Sequence, residues 1–432
     1  MITYIALGIF ALSFIFIVLE LYDKSLIALS GALLMVIFGI LSPEEAVAAV
    51  DFETILLLLG MMLIVHIASS SGIFAWLNVR IASFTKGNPM AIFLLFSLCT
   101  AVFSAFLDNV TTVLLIVPLT IELVRGMGKD PRPYVFATIF FANIGGAVSL
   151  IGDPSNIIIG GASSFNFVQF LQNMSVPIFF VTLFTLGVFI LVNRKKFKPI
   201  ANDLAELTIA NVIIQKIKTK FIKRTIHKDF VYKALSILLL TLLGFVLQEF
   251  LGLPNYVIAF TGAILLGLLT SKRLSIHESL KSVEWPTLLF FSGLFIMVAG
   301  VEKTGILSAV SNTIAHSTSD MFLLSLIVLW SAGLISMVLD NIPFVTIMVP
   351  VILGIQAEVV GADTSILWWA LSMGACLGGN GTVIGGSANV VAIGMAKKHG
   401  VNISFLQYAK FSVPTTIGVL TVCSIYLFFR LN

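Results

Sequence analysis

Two short stretches decide the fold of this sequence, because each of them occurs twice. Residues 107–110 (Leu-Asp-Asn-Val) return 232 positions later as residues 339–342 (Leu-Asp-Asn-Ile). Residues 151–156 (Ile-Gly-Asp-Pro-Ser-Asn) return 233 positions later as residues 384–389 (Ile-Gly-Gly-Ser-Ala-Asn). Single residues keep the second offset as well: Thr54, Gly60 and Gly72 recur as Thr287, Gly293 and Gly305. Anchors that keep almost one offset predict an internal duplication.

The composition around these stretches is that of a membrane protein. Hydrophobic residues make up 58% of the 432 residues and charged residues only 11%, whereas soluble domains carry about 25% charged residues. Residues 133–193 hold a single charged side chain, that of Asp153. Because a transmembrane helix needs roughly 20 mostly apolar residues, we expect an all-α polytopic protein of the cell inner membrane.

The basic residues are concentrated in one central segment. Eleven Lys and Arg side chains lie within residues 194–233, and an excess of basic residues is typical of cytoplasmic loops. We therefore predict a first repeat at 1–193, a basic cytoplasmic linker at 194–230 and a second repeat at 231–432. Five spans are expected in each repeat, near 2–20, 25–41, 54–70, 133–160 and 169–193, then near 231–248, 255–271, 286–302, 366–396 and 404–429. An odd number of spans per repeat makes the second repeat inverted, as in many secondary transporters.

Each repeat also contains a segment that does not fit an ordinary span. Basic residues flank the segment 88–125, with Lys86 before it and Arg125, Lys129 and Arg132 at and after its end. The arm after Asn109 reaches its first charge, Glu122, about 13 residues later. That arm is roughly 20 Å of helix, which is short for a ~30 Å hydrocarbon core. We predict a re-entrant hairpin that enters from the cytoplasm, and its counterpart at 320–358 that enters from outside. The alternative, a pair of complete spans with an exposed polar turn, stays open here.

The spans at 133–160 and 366–396 are predicted to be broken helices. Glycines permit unwound backbone, and Pro154 lacks the N–H that helix continuation needs. Irregular backbone at membrane depth persists only where it is buried in protein or lines a cavity. Free carbonyls beside Asn, Ser and Thr oxygens suit a hard cation such as Na⁺, and half-helix N-termini suit a polar or anionic substrate.

Three carboxylates, those of Asp108, Asp153 and Asp340, are predicted near the membrane midplane. A carboxylate at that depth marks an ion or proton path by default, although Asp is also a favoured helix cap. For Asp153, which Pro154 follows, both roles stay open. The predicted substrate- and ion-binding residues are Asp108, Asn109, Thr111, Thr112, Asn143, Gly152, Asp153, Asn156, Asp340, Asn341, Asn380, Thr382, Ser387 and Asn389. Of these, Asn109, Asn156, Asn341 and Asn389 are the predicted Na⁺ ligands.

At these motifs the sequence resembles the ArsB/NhaD branch of the ion transporter superfamily. The P-protein group is nearest, and the Na⁺/dicarboxylate symporters are more distant kin. The likeness is carried by residues 108–115, 143–146, 151–154, 340–344 and 374–382. It implies an elevator-type carrier, commonly a homodimer, with substrate and ion sites at the hairpin tips and broken helices.

The hairpin tips depart from the dicarboxylate symporters. Those relatives carry Ser-Asn-Thr at each tip, whereas this chain has Asp108-Asn109-Val110 and Asp340-Asn341-Ile342. The difference argues against dicarboxylate transport. The Asp-Asn tips resemble instead those of the proton-linked Na⁺ antiporters.

The functional hypothesis is an H⁺- or Na⁺-coupled carrier of Na⁺ or of a small oxyacid such as arsenite. An anion channel and a Na⁺-coupled carboxylate carrier on the same scaffold are the alternatives. The sequence shows no metal-ligand, Ser-His or nucleotide-binding spacing, so we expect no enzyme activity, no cofactor beyond the coupling ion and no nucleic-acid partner. Membrane lipid and the transported ion are the expected partners, with a separate ATPase subunit if the protein is an arsenite pump.

Overall fold

A computed structural model describes residues 2–19, 22–85, 88–197, 228–318, 320–359 and 363–431. Throughout these ranges the regular structure is helical, without a strand. The α-helices are α1 (Ile2–Leu19), α2 (Lys24–Ile37), α3 (Pro43–Ala48), α4 (Phe52–Ser70), α5 (Ile73–Phe84), α6 (Pro89–Ser104), α7 (Asn109–Gly126), α8 (Arg132–Gly146), α9 (Pro154–Ser163), α10 (Phe167–Asn193), α11 (Lys228–Val246), α12 (Gln248–Leu251), α13 (Asn255–Thr270), α14 (Ile276–Lys281), α15 (Trp285–Glu302), α16 (Ile306–Ala315), α17 (Met321–Ser336), α18 (Asn341–Glu358), α19 (Ser365–Gly378), α20 (Ser387–Lys398) and α21 (Phe405–Leu431).

Eight of the described helices are long and apolar enough to cross a membrane: α1, α4, α7, α10, α11, α15, α18 and α21. Six of them match predicted spans, and α7 and α18 are the second arms of the two predicted hairpins. The predicted class, an all-α multi-pass membrane protein, is confirmed. The predicted linker lies mostly outside the described residues, and the chain is already helical at Lys228, three residues before the predicted start of the second repeat.

The span predicted at 25–41 is shorter than expected. Helix α2 has 14 residues, which is about 21 Å of helix. Its end is set by Gly39, whose φ is +68°, a conformation that glycine adopts at little cost. The Gly39 N–H donates to Val36 O and the Ile40 N–H to Met35 O, which is the Schellman arrangement that closes a helix.

The two predicted broken spans are interrupted where the glycine-rich motifs lie. Helix α8 ends at Gly146 and α9 begins at Pro154, so residues 147–153 form the first break. Helix α19 ends at Gly378 and α20 begins at Ser387, with two short 3₁₀ turns, Gly379–Gly381 and Val383–Gly385, between them.

The helices fall into two groups by their contacts. In the group that we call the frame, α2 packs against α15 and α4 against α13, with α1 and α11 alongside. In the group that we call the hairpin core, α6 packs against α8 and α17 against α19, while α7 packs on α20 and α18 on α9. Each hairpin therefore contacts the broken helix of both halves, and α10 and α21 complete the hairpin core.

Matching glycines let the frame helices approach closely. A Cβ on Gly60 in α4 would lie 2.9 Å from the carbonyl carbon of Ala259 in α13. A Cβ on Gly293 in α15 would lie 2.6 Å from the carbonyl carbon of Ala28 in α2. Gly60 and Gly293 are repeat counterparts, so both halves use the same small-residue contact, which is common between membrane helices.

An ion pair joins the end of the frame helix α15 to α3, which we count with the frame, at the protein surface. The Nζ of Lys303, just after α15, lies 2.7 Å from Glu45 Oε2 in α3. The hydrogen bond from Lys303 holds the pKa of Glu45 below its ordinary value. Both side chains are about half exposed, with relative accessibilities of 51% and 46%.

Candidate functional site

The two hairpin tips meet at one carboxylate in the hairpin core. Helix α7 begins at Asn109 and α18 at Asn341, and each of these residues is 8% exposed. Asn109 Nδ2 donates to Asp153 Oδ2 at 3.1 Å, and Asn341 Nδ2 donates to Asp153 Oδ1 at 3.1 Å. Asp153 itself is 1% exposed. A single buried carboxylate thus receives an amide group from each half of the chain.

Asp153 also caps a half-helix. Its Oδ1 accepts hydrogen bonds from the Ser155 N–H at 2.9 Å and from the Ser155 hydroxyl at 2.6 Å. Of the two roles that the sequence left open, the structure shows the helix N-cap, and the role in an ion or proton path stays a prediction. Its counterpart in the second half is Gly386, so the duplicated fold carries this carboxylate on one side only.

Asn143 connects the two broken helices. Its Oδ1 accepts a hydrogen bond from Asn109 Nδ2 at 3.3 Å. Its Nδ2 donates to Asn380 Oδ1 at 2.9 Å and to Asn389 Oδ1 at 3.0 Å. The fully buried Asn380 Nδ2 finds no acceptor within the described part of the chain, so one amide donor beside the centre is still available.

Asn156 and Asn389 bind the backbone of the two helix breaks rather than the hairpin tips. Asn389 Nδ2 donates to the carbonyls of Gly379 and Thr382, at 2.7 and 2.8 Å. Its counterpart Asn156 donates to Ser149 O at 3.0 Å and accepts from the Ser372 hydroxyl at 2.7 Å. Unwound carbonyls need such partners when they are buried.

The predicted set of four Na⁺-binding asparagines is therefore divided. Asn109 and Asn341 lie at Asp153, whereas Asn156 and Asn389 bind the backbone of the two breaks.

The breaks are tied to the hairpin turns by matching hydroxyl groups. The Thr382 hydroxyl donates to Met337 O at 2.5 Å, and the Ser149 hydroxyl donates to Ala105 O. Thr382 thus holds the second break against the turn of the second hairpin rather than facing the centre. Gly152 has a similar packing role, because a Cβ there would lie 2.6 Å from Gly146 O and 2.7 Å from Ser104 O.

Replacing Gly152 with alanine is expected to destabilise the hairpin core and to abolish transport. The added methyl group would press on two backbone carbonyls that cannot move aside, and overpacking of this kind costs about 1–3 kcal/mol or more. Thermal unfolding in detergent would measure the loss. Gly187→Ala in α10 is the matched control, because a Cβ there meets nothing within 4 Å. Equal melting temperatures for the two variants would contradict this account of the close approach.

The first hairpin tip faces a large cavity. Asp108 Oδ1 accepts a hydrogen bond from the Thr111 N–H at 2.8 Å, so Asp108 caps α7. Asp108, Asn109 and Thr111 line a cavity of about 470 Å³ between the frame and the hairpin core. Thr112 is not among the residues that line it; it is fully buried, and its hydroxyl has no partner among the described residues.

The second tip has a partner that the sequence did not predict. Asp340 Oδ2 lies 2.9 Å from Lys24 Nζ, at the start of α2. Lys24 and Glu284 both line the large cavity, although neither was among the predicted site residues. Both stand next to loops expected on the cytoplasmic side. The only sequence signal was that a basic residue follows the first span almost directly.

A small chamber lies between the tips and the breaks. Asn109, Asn143, Asp153, Asn341 and Ser387 are among the residues that line it, and its volume is about 20 Å³. A space of that size holds about one water molecule or a bare ion of similar size. Its polar side chains are a carboxylate, three amides, the Ser387 hydroxyl and the Cys376 thiol.

Comparison with known proteins supports this architecture. The family model CitMHS, described as citrate transporter, matches residues 14–374. A 46 kDa membrane protein of Mycobacterium leprae is 34% identical over 99% of this chain and 98% of its own length. An uncharacterised transporter of Mycobacterium tuberculosis is 33% identical over 99% of this chain and 98% of its own length. The human P protein is 33% identical over 98% of this chain, which covers 59% of that longer protein.

A solved structure shares the fold. The YdaH transporter of Alcanivorax borkumensis matches with a TM-score of 0.60, over 88% of this chain and 86% of that one, at 16% sequence identity. At that identity the likeness concerns the fold alone. On the strength of the family match over most of its length, the chain belongs to the CitMHS family, described as citrate transporters, and is a multi-pass membrane transporter.

Proposed function

We propose that this protein is a secondary active transporter that couples to H⁺ or Na⁺ and moves Na⁺ or a small oxyacid such as arsenite. The observation that carries the proposal is the buried Asp153 carboxylate, which receives an amide group from both hairpin tips. A carboxylate at membrane depth is costly unless it binds an ion, a proton or polar partners. Because both tips end on it, occupation of this centre changes the contacts of both halves.

The charges around the tips favour a cation. Asp108, Asp153 and Asp340 face the tip region, and Lys24 is the basic side chain that joins them. The amide groups of Asn109 and Asn341 have their nitrogens toward Asp153, and a half-turn of each amide about its Cβ–Cγ bond would bring its oxygen there instead. With the oxygens turned inward, Asn109, Asn341 and Asp153 would offer Na⁺ the hard oxygen ligands that it prefers. The same amides and Ser387 would suit the hydroxyl groups of an uncharged oxyacid.

Alternating access is supported by the division into frame and hairpin core. The 470 Å³ cavity lies between the two groups, lined by Met61 and Thr287 of the frame and by Asp108 and Thr111 of the first hairpin. We propose that the hairpin core moves against the frame as in an elevator, in a homodimer of the inner membrane. The two hairpins that converge on one centre are the feature that favours a carrier over an anion channel, since a channel needs a continuous lined pore.

A Na⁺-coupled carboxylate carrier is the second candidate, and the family description as citrate transporters favours it. The large cavity has room for a tricarboxylate, whereas the small chamber of about 20 Å³ does not. The three tip-region carboxylates would repel such an anion, so this substrate needs coupled cations to neutralise them. If arsenite is the substrate, a separate ATPase subunit becomes a proposed partner.

The test is proton movement in proteoliposomes that carry an imposed pH gradient and a pH-sensitive dye. Na⁺, arsenite and citrate are added in turn, with Asp340→Asn as the variant control. We expect Na⁺ or arsenite to dissipate the gradient in the wild-type protein and not in Asp340→Asn. A response to citrate that requires Na⁺ would instead establish the carboxylate carrier, and ion currents far above carrier turnover would favour the channel.

A further inference from the structure

We propose that Lys24 is an internal counter-cation for Asp340, which takes the place of the proton or cation that this carboxylate carries during transport. The inference rests on the proposed function, because it assigns a role within that transport cycle. It makes Lys24, a frame residue, part of the ion site of the second hairpin.

The ion pair crosses the boundary between the two helix groups. Lys24 begins α2 in the frame, and Asp340 lies in the turn of the second hairpin, directly before α18; their charged atoms are 2.9 Å apart. The Asp340 side chain is 16% exposed and that of Lys24 is 42% exposed. Lys24 Nζ also lies 5.5 Å from the ring centroid of Phe290 in α15, a favourable position for a cation over an aromatic ring. Two frame helices therefore hold Lys24, so movement of the hairpin core would carry Asp340 away from it.

The two hairpin tips differ in a way that leaves Asp340 exchangeable. Asp108 binds the N–H of Thr111, the third residue of its helix. The corresponding residue of the second hairpin is Pro343, which has no N–H to offer. Asp340 accordingly makes no capping hydrogen bond in the described structure, and its Oδ1 has no partner there. Its negative charge is instead paired with Lys24, which belongs to another helix.

Within the described residues, the ion pair with Lys24 is formed by the second tip. Residues 31 and 32 (Gly-Ala) recur as residues 262 and 263, an offset of 231 that places Asn255 opposite Lys24. Asn255 is neutral, and the first-tip carboxylate that it would serve already caps α7. Of the two equivalent tip carboxylates, Asp108 thus caps its helix and Asp340 is paired with a lysine.

One carboxylate needs one positive charge. A partly buried Asp340 beside Lys24 is neutralised, whereas Asp340 moved away from Lys24 would have to take up H⁺ or a cation. Asp153, Asp108 and Glu284 also border this region, and their negative charges add to that demand. Lys24 and the transported proton or cation therefore compete for Asp340. When the second hairpin tip returns to Lys24, the lysine displaces that proton or cation.

Three variants test this competition: Lys24→Gln, Lys24→Arg and Pro343→Ala. With the substrate that the wild-type protein moves among Na⁺, arsenite and citrate, transport is measured in proteoliposomes over a range of concentrations, on the face that Lys24 borders, of the coupling ion, H⁺ or Na⁺. We expect Lys24→Gln to lower the apparent KM for that ion and also the maximal rate, each by at least about fivefold, the low end of coupling between sites. Lys24→Arg keeps the charge and should preserve both values.

Pro343→Ala is the more specific test of the competition, because Lys24 remains in place. It restores an N–H at the third helix position, which competes for Asp340 and should shift KM and maximal rate in the same direction as Lys24→Gln, by a smaller factor. Lys303→Gln is the matched control, since it breaks an ion pair of the same frame that is distant from the tips in sequence and exposed. Thermal unfolding of each variant confirms that it is folded.

The outcomes separate this inference from the proposed function. A wild-type protein that moves none of the three ions overturns the proposed function, and the role of Lys24 with it. A working wild-type protein whose Lys24→Gln variant loses rate at unchanged KM, with Pro343→Ala like wild type, shows a merely structural lysine and overturns this inference alone.

Discussion

Asp153→Asn is expected to abolish ion-coupled transport while the protein still folds. The carboxylate accepts hydrogen bonds from Asn109, Asn341 and both donors of Ser155, and a bond to a charged group contributes about 1.5–3 kcal/mol. An asparagine keeps one oxygen for capping α9 but turns an amide nitrogen toward a tip amide, which leaves donors facing each other. It also removes the negative charge that would hold H⁺ or Na⁺. Flux in proteoliposomes measures the effect, with thermal unfolding alongside.

Asp130→Asn is the control for this variant. Asp130 forms an ion pair with Arg132 at 2.9 Å, at the start of α8 and away from the tips. Its amide variant should transport at the wild-type rate. Normal coupled flux in Asp153→Asn would show that the carboxylate is only a helix cap, and the proposed function would lose the observation on which it stands.

Asn341→Ala is the second variant with a large expected effect. Asn341 Nδ2 donates to both oxygens of Asp153, at 3.1 and 3.2 Å, and lies 3.4 Å from the Ser155 hydroxyl. Without it, the second hairpin loses its link to the centre, so we expect transport to stop. The cost in stability should be modest, about 1–3 kcal/mol for an acceptor left with one partner fewer, because Asn109 and Ser155 still satisfy Asp153.

Asn193→Ala is the matched control for this prediction. Asn193 is also 8% exposed, and its Nδ2 donates to Phe189 O of the same helix at 3.2 Å. The two variants should melt within a few degrees of each other and differ in flux. Equal transport by both would mean that the tip amide has no part in the ion site.

Much of the architecture could be predicted from sequence because particular residues impose it locally. Pro154 and the neighbouring glycines interrupt their span whatever surrounds them, and the repeated Asp-Asn pairs indicated where each hairpin turns. The end of α2 was predicted too late, because Gly39 ends the helix within an apolar run, where hydropathy alone gives no signal.

The centre of the site was only partly predictable. All fourteen predicted residues lie in or next to the tips and breaks, but the sequence could not tell a residue that faces the centre from one that supports it. Asn156 and Asn341 have the same side chain, yet one binds backbone carbonyls and the other binds Asp153. The contact of Lys24 with Asp340 joins residues 316 positions apart, and such a pairing depends on how the helices pack.

The single carboxylate shared by a duplicated fold has a consequence for how the two halves depend on each other. Asp153 belongs to the first half, and its counterpart Gly386 brings no charge, while Asn341 of the second half completes the centre. Neither half contains a whole site, so each would be inert as a separate polypeptide. Activity would return only when the two fragments assemble in one membrane. A substitution at either hairpin tip therefore changes a surface at which the two fragments would contact each other.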